Sequence, residues 1–147
     1  MRRCLTLISL LIWSLMTCLA QDDSREYNLL MQIRGQELTS ICIMDFTDGQ
    51  DIVGTVVNEF GVKAFDFTFD GSKAKICNVV GPLNKWYVKK ILRADFSFIL
   101  SNIRQGSDVT KKKRKLTFLP DGEIQFTNDR YNIHYTFTPL NSEHETD

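Results

Sequence analysis

From Asn28 onward, apolar and polar residues alternate with a period of two over most of the chain, the pattern of half-buried strands. "NLLMQI" predicts a first strand and "ELTSICIMDF" a second after the turn "RGQ"; "DIVGTVVNEF" follows the turn "DGQ" as a third. Gly61 interrupts the run before "VKAFDFTFD", Asp70-Gly71 marks a hairpin, and "KAKICNVV" returns as a fifth strand. Within the fourth, Phe65, Phe67 and Phe69 share one face, while Asp66, Thr68 and Asp70 share the other.

The period then changes. Gly81-Pro82 ends the strand pattern and Asn84 is placed to cap a helix. Val88, Ile91, Leu92, Phe96, Ile99, Leu100 and Ile103 follow helical spacing, with Lys85, Lys89, Lys90 and Arg93 opposite. The spacing blurs at Asp95, which marks a kink in a helix of about five turns. "RQGSDVT" reads as a polar loop into the basic run "KKKRK", Lys111 to Lys115. "KLTFL" and "EIQFTN" then flank the turn "PDG". "YNIHYTFTPL" alternates with Tyr131, Ile133, Tyr135 and Phe137 on one face. The tail "NSEHETD" is polar. The predicted fold is α+β and mainly antiparallel: a strongly curved sheet, or half-barrel, of about eight strands, with one main helix on its concave face.

The first twenty residues stand apart. Arg2 and Arg3 precede an apolar stretch from Leu5 to Met16 that is short for a bilayer span. This predicts a signal peptide over residues 1–20 and one domain over residues 21–147. Two processing routes are open: cleavage after Ala20, or cleavage before Cys18 at the imperfect lipobox "LMTC" with acylation of its thiol. A retained membrane anchor is the bland alternative. The remainder carries 16 basic and 18 acidic residues, a net charge of −2. That balance argues for neither a nucleic-acid nor an anionic-membrane partner. Cys42 and Cys77 are too few for a structural zinc site; both sit in apolar strand-like runs where a free thiol behaves as a small hydrophobe, although export would permit a bridge between them.

Signatures of catalysis are absent from the sequence. It holds no nucleophile elbow, no zinc-protease helix motif and no phosphate loop. His134 falls on the polar face of its strand, and the Asp66/Asp70 pair is too widely spaced for a glycosidase. The expectation is a protein that is not an enzyme and uses no metal or cofactor. "KKKRK" reads as a solvated loop beside a strand edge, with at most a weak accessory role at anionic membranes. The aromatic stripe is the sharpest functional clue. Phe65, Phe67 and Phe69, facing Ile91, Leu92, Phe96 and Ile99, form either plain core or the wall of an apolar cavity.

The succession from "ELTSICIMDF" through "FDFTFDG" to "LNKWYVKKILRADFSFIL" resembles, in its order of strands, turn and helix, envelope proteins of the LolA/LolB-like lipoprotein-carrier superfamily. The resemblance covers roughly Asn28 to Pro139. It implies a half-barrel closed by helices, with an apolar interior for acyl chains, in a Gram-negative periplasm or outer membrane. This chain is shorter than the usual carrier and has fewer lid helices. Two functions follow: a binding module holding a lipid or acyl chain between sheet and helix, or an interaction or structural envelope protein with a solid core. Membrane association is expected only through an acylated Cys18 or weakly through Lys111 to Lys115.

Overall fold

A computed structural model describes residues 23–47 and 49–140. The expected signal peptide over residues 1–20, with Cys18, and the polar tail from residue 141 lie outside the described residues. The described residues form nine strands and one long helix: β1 (Asp23–Ile33), β2 (Gln36–Phe46), β3 (Asp51–Asn58), β4 (Lys63–Asp70), β5 (Ala74–Cys77), α1 (Trp86–Ile103), β6 (Val109–Lys111), β7 (Arg114–Phe118), β8 (Ile124–Asn128) and β9 (Ile133–Pro139). All belong to one antiparallel sheet in the order β5-β4-β3-β2-β1-β9-β8-β7-β6. The α+β, mainly antiparallel class is as the alternation predicts.

Strand β1 sits at the centre, paired with β2 on one side and β9 on the other. The sheet therefore grows outward as two meanders, and its edges are the mid-chain strands β5 and β6. Helix α1 connects those edges. Tight turns set the register. Arg34 and Gly35, with φ of 51° and 82°, make the two-residue β1–β2 turn in the left-handed conformation such hairpins require. The Asp70 carboxylate accepts hydrogen bonds from the Ser72 and Lys73 amides at 2.9 and 2.8 Å and closes the β4–β5 turn.

One sheet face carries the core. Leu29, Met31, Cys42, Met44, Ile52, Val56, Leu116, Phe126 and Phe137 are fully enclosed on it. Phe65 and Phe67 join them from β4, each 0 % exposed, and Phe69 is nearly as buried. Their rings meet α1 at Phe96, with centroids 5.4 Å from Phe65 and 5.1 Å from Phe67. Gly54 of β3 pairs with Phe67, and a Cβ at Gly54 would lie 2.2 Å from the ring's Cζ. The phenyl ring thus lies directly on bare backbone.

Several boundaries differ from the sequence expectation. β1 begins at Asp23, ahead of the Asn28 at which the alternation starts, because Asp23 to Tyr27 pair with the second half of β2. Arg25 lies 4.2 Å over the Phe46 ring there. The sheet has nine strands rather than about eight, since Val109–Lys111 pairs with β7 across a two-residue turn. β5 stops at Cys77: Asn78 turns left-handed, and a short 3-10 turn at Gly81–Leu83 follows. Lys85, not Asn84, occupies the N-cap, with no side-chain cap bond. Helix α1 is continuous through Asp95, so the blurred spacing marks a buried polar residue on the apolar stripe, with no break in the helix. Cys42 and Cys77 are both free thiols, the first buried and the second exposed, and burial pushes the Cys42 thiol well up.

Candidate functional site

A cleft of about 450 Å³ opens between the first turns of α1 and the ends of β1, β2 and β9. Met31, Leu38, Leu83, Val88, Ile91 and Leu92 wall it, from the sheet, the 3-10 turn and the helix. Its size falls within the usual range of about 300–1,000 Å³ for small-molecule sites. Arg34, Glu37, Lys85, Tyr87 and Tyr131 stand around it. The local sequence explains the opening. Pro82 and the left-handed Gly81 hold the chain in a short 3-10 turn before α1 starts, which sets Leu83 inward and leaves Trp86 and Tyr87 outside.

Tyr135 also lines the cleft and links it to a buried polar cluster. Its hydroxyl donates to Asp95 Oδ2 at 3.4 Å, a long contact. Asp95 Oδ1 accepts from Arg114 Nε at 2.9 Å and from Asn128 Nδ2 at 2.8 Å. Asp95 and Asn128 are 0 % and 1 % exposed, whereas Arg114 reaches the surface. Burial raises the Asp95 carboxyl above its ordinary range, against the opposing pull of Arg114 and Asn128. Burial, with the Asp95 charge beside it, also pushes the Tyr135 hydroxyl well up. Among the described residues, no buried side-chain nitrogen or oxygen lacks a hydrogen-bond partner. The cluster is a satisfied polar clasp that ties α1 to β7, β8 and β9.

The residues expected around a cavity divide between two places. Ile91 and Leu92 line the cleft. Phe96 and Ile99, farther along the helix, are fully buried; Phe65 and Phe67 pack on Phe96, and neither they nor the buried Phe69 border the cleft. The alternation of Tyr131, Ile133 and Tyr135 carried the signal for the opposite wall, since all three line the cleft. Leu38 and Leu83 had no comparable signal, because contacts between distant segments define their role. The basic run is divided as well. Lys112 and Lys113 form the β6–β7 turn with φ of 49° and 64°, and Arg114 turns inward to Asp95.

A second hollow of about 490 Å³ lies at the opposite end among Arg25, Arg104, Phe118 and Leu140. Among the described residues, no group of three or more His, Cys, Asp or Glu is placed to hold a metal ion. None of their helices is long and apolar enough to cross a membrane. No family model matches the chain, and no curated protein matches it in sequence.

Proposed function

We propose that this protein is an exported, non-enzymatic component of a Gram-negative envelope that holds a lipid or acyl chain in the cleft between α1 and the sheet, as a small, divergent relative of the LolA/LolB-like carriers. The observation that carries the reading is the cleft itself: apolar side chains from helix and sheet face one another across about 450 Å³, while cations and tyrosine hydroxyls stand around it. An amphiphile suits such a site, its chain on the aliphatic wall and its head among the polar groups.

A strongly curved half-barrel belongs to the same proposal, and α1 supports it. Ser97 Oγ accepts from the Ala74 amide of β5 at 2.8 Å, while Asp95, two residues away, bonds β7. β5 and β7 are seven places apart in the sheet order, about 33 Å in a flat sheet. A sheet curled around the helix accounts for both contacts.

Native mass spectrometry of the purified mature protein, with titration of a fluorescent long-chain fatty acid, tests the ligand. Wild type is expected to carry or take up acyl ligand, and Val88→Trp, which fills the cleft, to lose it while remaining folded. Failure of folded wild type to bind any acyl chain refutes the reading. The second reading, an interaction or structural protein with a solid core, draws on the tight packing of Phe65, Phe67 and Phe96 away from the cleft. It predicts equal, negligible uptake by both proteins.

A further inference from the structure

The two ends of the sheet differ in charge and in exposed apolar surface. At the end where the cleft opens lie the β1–β2, β3–β4, β6–β7 and β8–β9 turns and the segment leading into α1. Lys and Arg outnumber Asp and Glu there by eight to three, across residues 34–37, 59–63, 78–90, 112–113 and 129–132. At the opposite end the balance reverses, with six acidic and three basic residues across 23–25, 49–51, 70–73, 104–108 and 119–123. The chain's zero net charge thus conceals a polarised molecule.

Exposed apolar side chains follow the same division. Of the six large hydrophobic residues that are strongly exposed among the described residues, only Val53 lies on the sheet's outer face; Phe60, Val62, Val80, Trp86 and Tyr87 all belong to the basic end. Phe60 is 80 % exposed at the β3–β4 turn and Trp86 is 75 % exposed at the first position of α1. Lys85 places its ammonium 6.0 Å from the Tyr87 ring centroid, and Lys89 and Lys90 follow on the next turn. Aromatic rings beside lysines characterise groups that lie at the boundary between headgroups and acyl chains.

We propose that this end of the molecule docks on anionic phospholipid bilayers, with Phe60, Val62 and Trp86 entering the interface and Lys85, Lys89 and Lys90 meeting the phosphates. Complementary charge selects a bilayer as the occupant: the cationic end meets the anionic surface, while the acidic end is repelled and sets the orientation. Docked this way, the cleft opens toward the membrane. The purpose of docking, passing a chain between bilayer and cleft, rests on the function proposed above; the docking geometry does not. Of the basic run, Lys112 and Lys113 belong to this end through the β6–β7 turn, while Arg114 is committed to Asp95.

Trp86 supplies its own reporter, being the only tryptophan after Trp13. The chain from Gln21 to Asp147, free of signal segment and acyl group, would be mixed with vesicles of phosphatidylcholine alone or with added phosphatidylglycerol. Expected are co-sedimentation with the anionic vesicles only, a blue shift of Trp86 emission, and weakening by salt. Phe60→Ser/Trp86→Ser and Lys85→Gln/Lys89→Gln/Lys90→Gln should each lower partitioning by about tenfold or more, and Val53→Ser should leave it unchanged. No binding to anionic vesicles, or binding that persists unchanged in both rim variants, overturns the inference. Fatty-acid uptake measured without vesicles separates the two proposals. Uptake with no docking removes only this one, and docking with no uptake removes only the cleft ligand.

Discussion

Replacing Asp95 with Ala is expected to destabilise the fold strongly even though burial of its charge is unfavourable. The substitution removes an acceptor for three donors: Arg114 Nε, Asn128 Nδ2 and the Tyr135 hydroxyl. Arg114 is partly exposed and can turn to water, but Asn128 and Tyr135 are about 1 % exposed and cannot. Each orphaned buried donor costs about 1–3 kcal/mol, and release of the desolvated carboxylate offsets part of that, for a net loss of about 2–4 kcal/mol. Asp95→Asn keeps an oxygen for Arg114 and Asn128 and removes the buried charge, so it should cost less than half as much at neutral pH.

The direction of the pH dependence follows from the raised carboxyl. The folded state holds the Asp95 proton more tightly than the unfolded chain, in which the pKa is about 3.9. The native state therefore binds more protons, and this contribution to stability is fully present below that value and lost as pH rises through the raised native pKa. Urea unfolding of wild type and both variants between acidic and neutral pH measures it. Wild type should gain stability relative to Asp95→Asn on acidification. If Asp95→Asn proves as damaging as Asp95→Ala, or wild type loses ground to it on acidification, the ion pair outweighs desolvation and the reasoning fails.

Three further outcomes follow from packing and turn geometry. Phe67→Ala should cost about 3–5 kcal/mol in urea unfolding and leave fatty-acid uptake unchanged, since the ring lies outside the cleft; Gly54→Ala, which drives a methyl into that ring, should cost about 1–3 kcal/mol or more. Lys112→Asn/Lys113→Gly places residues suited to positive φ in the β6–β7 turn and should stabilise the protein by about 1 kcal/mol, whereas an unchanged unfolding midpoint would show that the left-handed pair carries no strain.

Local pattern alone determined much of this molecule. β2, β4 and β9 were legible because one face of each is buried and the other wet, so alternation is a direct record of their surroundings. Helix α1 was legible for the same reason at a different period, with Leu92, Phe96, Ile99 and Ile103 buried along one stripe. β6 was not, because a three-residue edge strand with one apolar side chain has almost no pattern, and only its pairing with β7 defines it.

Tertiary structure decided the rest. Placing β1 beside β9 joins Ile33 to Ile133, a hundred residues apart, and no local signal encodes that contact. Asp95 read as a flaw in the helical stripe until Arg114, Asn128 and Tyr135 arrived from three other strands to satisfy it. The phenylalanine stripe was compatible with core or cavity, since burial on either surface produces the same alternation. Whether a void remains depends on which side chains meet from opposite elements: Phe96 fills the space before Phe65 and Phe67, while Leu83, Val88 and Leu38 leave theirs open.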